Sequence, residues 1–325
     1  MSATNILPVA IVQAAPIPLA IGDGLLELTR RAGEAIADGA RLMAFGESMI
    51  GGYPLWLDAA PGAALWDHPG TKALHRILLD QALVAGDARL APLQELVDRR
   101  DALVSFGAHE RVRSSLFNTQ FLMRPCAPPL LHRKLVPTHG ERLIWARGDG
   151  STLDTHVAPW GRVGSLICWE HWMPLVRAAM HHSGETVHVA AWPTVRESYR
   201  LASRHYAFEG RCFVLAAGTI QSRDDHLAGL ERAGGDPAAR DLLMQMPDGP
   251  LQHGGSAIID PNAAVLAEAG GEETVLHATL NLDRVGEALA ALDTDGHYSR
   301  PDVFELMVDR RPLSGVTDRT SDAGT

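Results

Sequence analysis

The chain has 325 residues, with 29 Lys and Arg against 39 Asp and Glu, for a formal net charge of −10. Three cysteines, Cys126, Cys168 and Cys212, are too few and odd in number for a disulfide-stapled secreted domain, and the acidity runs against a nucleic-acid binder. No apolar run reaches the roughly 18 residues of a membrane span, and the start MSATNILPVAIVQAAPIP lacks the charged n-region of a signal peptide, so a cytoplasmic protein with reduced thiols is expected.

Strand-like and helix-like segments alternate along the chain. Ile6–Val12 is a β-branched run that reads as a buried strand. Leu25, Leu28, Ala32 and Ile36 fall on one helical face, and Gly39 is a stop signal. Leu42–Phe45 reads as a strand, Leu74–Val84 and Pro92–Arg99 as helices, and Leu103–Phe106 and Leu116–Leu122 as strands. Val163–Ile167 is a strand that ends at Cys168, followed by a helix over Pro174–His181. Val187–Ala191, Phe213–Ala217, Ala257–Ile259 and the alternating Thr274–Leu282 read as strands, and Ser198–Gly210 as a helix. Residues 222–254, rich in Gly, Asp and Ala, read as a long loop or insertion. The pattern implies a layered α/β architecture, and no linker divides it convincingly into two domains.

Three stretches carry residues suited to chemistry. In GRVGSLICWEHWMPLVRAAM, a strand delivers Cys168 to the end of a sheet, where α/β folds bind ligands and helical N–H groups can favour a thiolate. Alone, Cys168 reads more readily as a buried packing residue, as do Cys126 and Cys212. Cys168 and His171 form a Cys-x-x-His, with His181, His182 and His188 beyond, but no second close pair supports a structural zinc site. In LMAFGESMIGGYP, Glu47 follows a core strand, as either a helix cap or a functional carboxylate. In LLHRKLVPTHGERLIWARGDGS, Lys134 sits among apolar residues beside His132 and Arg133, and Glu141 would lie about two turns away if the segment is helical. A solvated basic patch is the plain alternative.

Taken together and in this order, these stretches resemble the nitrilase branch of the carbon–nitrogen hydrolase superfamily. FGES…GGYP is similar to its glutamate motif, HRKLVPTHGERLIW to its lysine motif and GSLICWEHWMPL to its cysteine motif. VHVAAWP, RHYAFEGRCFVLAAG and GGSAIIDPNAAVLAEA are similar to the segments that follow, and DTDGHYSRPDVFEL to the terminal motif of nitrilases. The resemblance runs from Pro8 to Arg311. One departure is FGE where many members have FPE.

The resemblance implies an α/β fold, a four-layer α-β-β-α sandwich, as one domain over residues 1–312 with a disordered tail over 313–325. It implies Cys168 as nucleophile, Glu47 as general base, Lys134 as cationic stabiliser and Glu141 as the lysine's companion. It places Tyr53, Trp145, Trp169, Trp172, Trp192 and Pro193 around the substrate. The implied reaction turns a small-molecule nitrile into a carboxylic acid and ammonia through a cysteine thioimidate and thioester. The alternative is an amidase or a nitrile or cyanide hydratase of the same superfamily. No cofactor and no metal are implied, no nucleic acid or membrane partner is expected, and a homodimer or larger homo-oligomer is.

Overall fold

In the computed structural model, which describes residues 5–313, side-chain alternation builds two sheets. In Ile6–Gln13, Leu7, Val9 and Ile11 face one core while Ala10 and Val12 face another. In Phe213–Ala217, Phe213, Leu215 and Ala217 face the first core and Val214 and Ala216 a third. Period-two alternation with both faces apolar marks strands covered on both sides.

The eight-stranded sheet runs in the order Thr274–Asn281, Ile6–Gln13, Leu42–Ala44, Leu103–Val112, Ile50–Gly51, Ile17–Pro18. Ser115–Arg124 and Ala127–Arg133 extend it as antiparallel partners from Leu103–Val112. The six-stranded sheet runs Val265–Glu268, Ala257–Ile259, Phe213–Ala217, Val187–Ala191, Gly161–Ile167, His156–Ala158. Its three central strands are parallel. The inner faces of the two sheets share one core. Helices Ile21–Ala37 and Ala91–Arg100 cover the outside of the first sheet. Pro174–His182 and Glu197–Gly210 cover the outside of the second. The result is a four-layer α-β-β-α sandwich with mixed sheets.

Most expected elements appear, with shifted ends. The Ile21–Ala37 helix stops just before Gly39, whose φ of +100° lies in the left-handed region that glycine adopts without strain. The helix expected over Leu74–Val84 runs over Pro69–Gln81. Pro92 lies in the first turn of Ala91–Arg100, where its missing N–H costs nothing. Leu103–Phe106 continues as far as Val112. Ala127–Arg133 went unread because of its two prolines. Among the described residues it pairs only with Ser115–Arg124, and such an edge tolerates them.

Three expectations are corrected. Residues 222–254 are not a long loop: they hold the helices Arg223–Arg232 and Pro237–Leu243 and the strand Pro250–His253. Ser222 caps the first helix through Asp225 N–H, and Asp236 caps the second through Ala239 N–H. Leu230, Leu242, Leu243 and Met246 bury themselves against Trp56, Leu74 and Leu78, forming a fourth core. Second, Lys134 and Glu141 do not share a helix. Lys134 follows the Ala127–Arg133 strand, and Glu141 lies in the short 3-10 turn His139–Leu143. Third, Cys126 is not packed inside but exposed, at the turn between two strands with a φ of +53°. Cys212 is fully buried, as expected. The tail expected over 313–325 falls, from residue 314, outside the described residues. Among those described, no helix is long and apolar enough to cross a membrane.

Candidate active site

The parallel strands of both sheets end at one place. Gly161–Ile167 ends at Cys168, which opens a 3-10 turn, Cys168–Trp172, with a φ of +55°. A left-handed backbone costs a non-glycine residue about 1–2 kcal/mol, so surrounding bonds must hold it. Glu170 does much of this. Its Oε2 accepts from the Ile167 N–H at 2.7 Å and from His132 Nε2 at 2.8 Å, and its Oε1 accepts from the Leu135 N–H at 2.7 Å. One carboxylate therefore ties the cysteine turn to the segment that carries Lys134.

His132 also donates Nδ1–H to the Thr152 carbonyl at 3.2 Å. Both its ring nitrogens face acceptors, which calls for the imidazolium. Burial opposes that charge, but Glu170 outweighs it and raises the His132 pKa. Burial likewise opposes the Glu170 charge, and His132 with two backbone N–H groups holds that carboxyl below its usual range.

Glu47 arrives from the other sheet, after Leu42–Ala44, and its N–H donates to the Trp192 carbonyl at 3.0 Å. That bond joins the ends of the two sheets. The preceding residue must be slim: a Cβ on Gly46 would come within 2.7 Å of Thr219 Cγ2 and 3.0 Å of the Trp192 carbonyl oxygen. The FGE variant of the motif therefore has a steric reason in this chain. Gly107 is tighter still, because a Cβ there would sit 2.2 Å from the Ser48 nitrogen, just beyond Glu47.

Lys134 Nζ donates to Glu47 Oε1 at 2.9 Å and to Glu141 Oε1 and Oε2 at 2.9 and 2.7 Å. Asn118 Nδ2 donates to Glu47 Oε1 at 2.6 Å. Tyr53 donates its hydroxyl to Glu141 Oε1 at 2.7 Å, and the Thr138 N–H donates to Glu141 Oε2 at 2.7 Å. Cys168 Sγ and carboxylate oxygens of Glu47 and Glu141 all lie within 4.8 Å of one another. Such a donor set suits a cation, and the Lys134 ammonium already occupies that role. All four groups are at most 4% exposed. Glu47 Oε2 is buried with no hydrogen-bond partner among the described residues.

Burial and mutual charge set the proton affinities. Burial pushes the Glu47 carboxyl up to about 7, with Lys134 pulling it back. Burial and the Glu47 charge push the Cys168 thiol well above its ordinary value, while Lys134 and the Trp169 N–H pull it down. Burial works against the Lys134 charge, but Cys168, Glu47 and Glu141 outweigh it and keep the ammonium protonated. The resting site therefore holds a thiol, an ammonium and a carboxylate poised to exchange a proton near neutrality.

A cleft of about 1030 Å³ opens over Cys168, and Tyr53, Trp169, Trp172, Met173, Pro193 and Tyr199 are among its walls. Trp169 and Trp172 are 49% and 42% exposed, and Trp169 Nε1–H donates to the Tyr199 hydroxyl at 3.3 Å. Trp145 and Trp192 stand behind the wall. Trp145 packs edge-on against Tyr53 and donates Nε1–H to His109 Nδ1 at 3.0 Å. That bond leaves His109 Nε2–H for the Gly52 carbonyl, and burial holds this neutral ring down to about 4. Trp192 stacks on Tyr199 and His171, and donates to Ser203.

The structure thus gathers Glu47, Lys134, Glu141 and Cys168 at one point, with Tyr53, Trp169, Trp172 and Pro193 around the opening. Asn118, Glu170 and Tyr199 went unread in the sequence. Asn118 had a signal, since Asn118, Thr119 and Gln120 are consecutive polar residues inside an apolar strand, and all three are buried.

The carbon–nitrogen hydrolase family model matches residues 8–289. An aliphatic nitrilase of Sinorhizobium fredii is 36% identical, over 95% of this chain and 98% of its own. A bifunctional nitrilase/nitrile hydratase of Lupinus angustifolius is 34% identical, over 94% of this chain and 87% of its own. The crystal structure of a carbon–nitrogen hydrolase from Helicobacter pylori superposes with a TM-score of 0.69 at 15% identity, covering 93% of this chain and 97% of that one, a likeness of fold. With that match over most of its length and those relatives over nearly all of it, the chain belongs to the carbon–nitrogen hydrolase family.

Proposed function

We propose that this hydrolase is a nitrilase, converting R–C≡N and two waters into R–COOH and ammonia. The observation that carries the reading is the buried Cys168–Glu47–Lys134 cluster at the floor of an aromatic cleft. The name of the Sinorhizobium relative supports the choice of a nitrile.

In this reading Glu47 takes the Cys168 proton as the sulfur bonds to the nitrile carbon. One carbon–nitrogen π pair moves onto nitrogen, which takes that proton to give a thioimidate. Water adds to the thioimidate carbon and gives a proton to Glu47. Glu47 returns that proton to the nitrogen, the carbon–nitrogen bond of the tetrahedral adduct breaks, and the nitrogen takes the adduct's hydroxyl proton and leaves as ammonia. A second water adds to the resulting thioester, the carbon–sulfur bond breaks, and Cys168 regains its proton. Lys134 and the Trp169 N–H stabilise charge that develops at the reacting centre. Breaking the carbon–sulfur bond of the first adduct would release an amide instead. The lupin relative, named a bifunctional nitrilase/nitrile hydratase, couples those two outcomes.

Acid, amide and ammonia measured from phenylacetonitrile and from phenylacetamide test the reading. Acid and ammonia from the nitrile are expected. Turnover of the amide without the nitrile would assign an amidase, and amide as the sole product a hydratase.

Glu141 has a different task in this scheme. It bonds Lys134 with both oxygens and receives the Tyr53 hydroxyl, so it steadies the ammonium. Glu141→Gln keeps an oxygen for Lys134 and is expected to lower kcat/KM by about 10–100-fold, whereas Glu47→Gln removes the base and costs about 10³-fold or more. Steady-state kinetics of the two variants decide it, and the reverse ranking would exchange their roles.

A further inference from the structure

A second buried polar chain lies behind the nucleophile, unused by the reaction as written. The Cys168 carbonyl accepts from His171 Nδ1–H at 2.7 Å. His171 Nε2 lies 3.1 Å from His188 Nε2. His188 Nδ1 lies 2.8 Å from Glu185 Oε1, and Tyr206 donates its hydroxyl to Glu185 Oε2 at 2.5 Å. His171, His188, Glu185 and Tyr206 are all at most 4% exposed.

Hydrogen-bond direction orders the protons along this chain. A carbonyl only accepts, so His171 carries its hydrogen on Nδ1. Burial keeps this ring neutral, its pKa pushed down to about 3. Its Nε2 is therefore bare and accepts from His188 Nε2–H. Burial holds His188 neutral as well, so its Nδ1 is bare too. Only a protonated carboxyl on Glu185 can donate to that nitrogen. Burial raises Glu185 to about 8, against the Tyr206 hydrogen bond and the charge of His181.

The other end of the chain reaches the reacting atom. The Cys168 carbonyl and the Trp169 N–H belong to one peptide group, and that N–H pulls the pKa of the Cys168 thiol down. A donor on the carbonyl strengthens the N–H as a donor. It also helps to hold the left-handed backbone of Cys168.

We propose that Glu185 is a positioning residue for the hydrolytic reaction: its proton orders His188 and His171, and so fixes the Cys168–Trp169 peptide against the sulfur. The inference rests on the reading of Cys168 as nucleophile. When Glu185 loses its proton, His188 must turn its hydrogen to Nδ1 to meet the carboxylate. Two bare Nε2 atoms then face each other unless His171 withdraws its hydrogen from the Cys168 carbonyl. The titratable groups facing Glu185 are His188, Tyr206, His181 and the Cys212 thiol, with Glu209 beyond His181. Gly164, which packs against Glu185 from the cysteine strand, brings no charge.

The test compares the parent with Glu185→Gln and Glu185→Ala through the rate at which iodoacetamide alkylates Cys168. Peptide mass spectrometry separates Cys168 from the exposed Cys126. Glutamine donates its amide N–H to His188 and accepts from Tyr206 at every pH. Glu185→Gln is therefore expected to react within about threefold of the parent at neutral pH, and Glu185→Ala about tenfold more slowly. Above pH about 8 the parent is expected to fall behind Glu185→Gln. A protonated-carboxyl infrared band, present in the parent at neutral pH and missing from Glu185→Gln, is the second expected result.

Equal rates in parent and Glu185→Ala would overturn the proposal. So would Glu185→Gln as slow as the alanine variant, which would point to a His188 imidazolium–Glu185 carboxylate pair. Identical parent and glutamine profiles above pH 8, or no difference in the infrared band, would overturn it too. Alkylation needs no substrate. Failure of nitrile turnover with this ranking intact would fault the nitrilase reading alone.

Discussion

Cys168→Ala is expected to abolish hydrolysis, lowering kcat by about 10⁴-fold or more, because without the sulfur no covalent intermediate forms. The fold should survive. Alanine keeps a Cβ, so the left-handed backbone at this position is no more strained than before. The loss is one buried sulfur, worth about 1 kcal/mol of packing. Glu170 still ties the turn to Ile167, Leu135 and His132, and none of those bonds involves the thiol. The inert variant should therefore still bind nitrile between Trp169 and Trp172, seen as a change in tryptophan fluorescence on titration. Ammonia release at the parental rate would remove Cys168 from the chemistry. An unfolded variant would mean that the thiol itself holds the turn, contrary to the bonding described.

The layered fold was legible because its strands are short apolar runs with clear ends. Val187–Ala191, Phe213–Ala217 and Ala257–Ile259 appear with the very bounds read from their composition. The helices over 222–254 were hidden by Gly, Asp and Ala. Their stability rests on a few residues, such as Leu230 and Leu242, that meet partners far away in the chain. Their capping residues Ser222 and Asp236 were nonetheless visible, and Pro237 after Asp236 is a standard opening for a helix.

The site divides in the same way. Cys168 at a strand end was readable from local pattern, but its chemistry was not. Glu47 and Lys134 are 87 residues apart and come from different strand ends, so no spacing rule joins them. Only the ordered motifs did so. Asn118 and Glu170 act through bonds to residues 71 and 35–38 positions away, and their types alone predict nothing of that. Burial also reversed the ordinary expectation for Glu47: a carboxyl with a lysine at 2.9 Å would normally sit low, yet desolvation prevails.

That balance makes Lys134 the most consequential position after the cysteine. Lys134→Met keeps most of the side-chain volume and deletes the ammonium bonded to Glu47 and Glu141. Two buried carboxylates then face one another without a cation. Removing one partner of a buried ion pair costs about 3–5 kcal/mol, so a clear fall in thermal midpoint is expected at neutral pH. The sign of its pH dependence follows from Glu47. Its folded pKa is already raised from 4.5 to about 7 with Lys134 present, and loss of the ammonium raises it further. A group raised on folding lends stability below its unfolded pKa and loses it as pH climbs through the folded one. Parent and variant therefore lose this contribution alike between pH 4.5 and about 7, and the variant should fall behind the parent as pH climbs above about 7. Activity should fall by about 10³-fold or more at every pH, since the cation is missing when charge develops. Lys134→Met combined with Glu141→Gln separates the two effects. The double variant removes one of the opposed charges, so it should recover much of the stability and none of the turnover. Recovery of both would reduce Lys134 to a neutraliser of Glu141, and recovery of neither would place the loss in packing rather than charge.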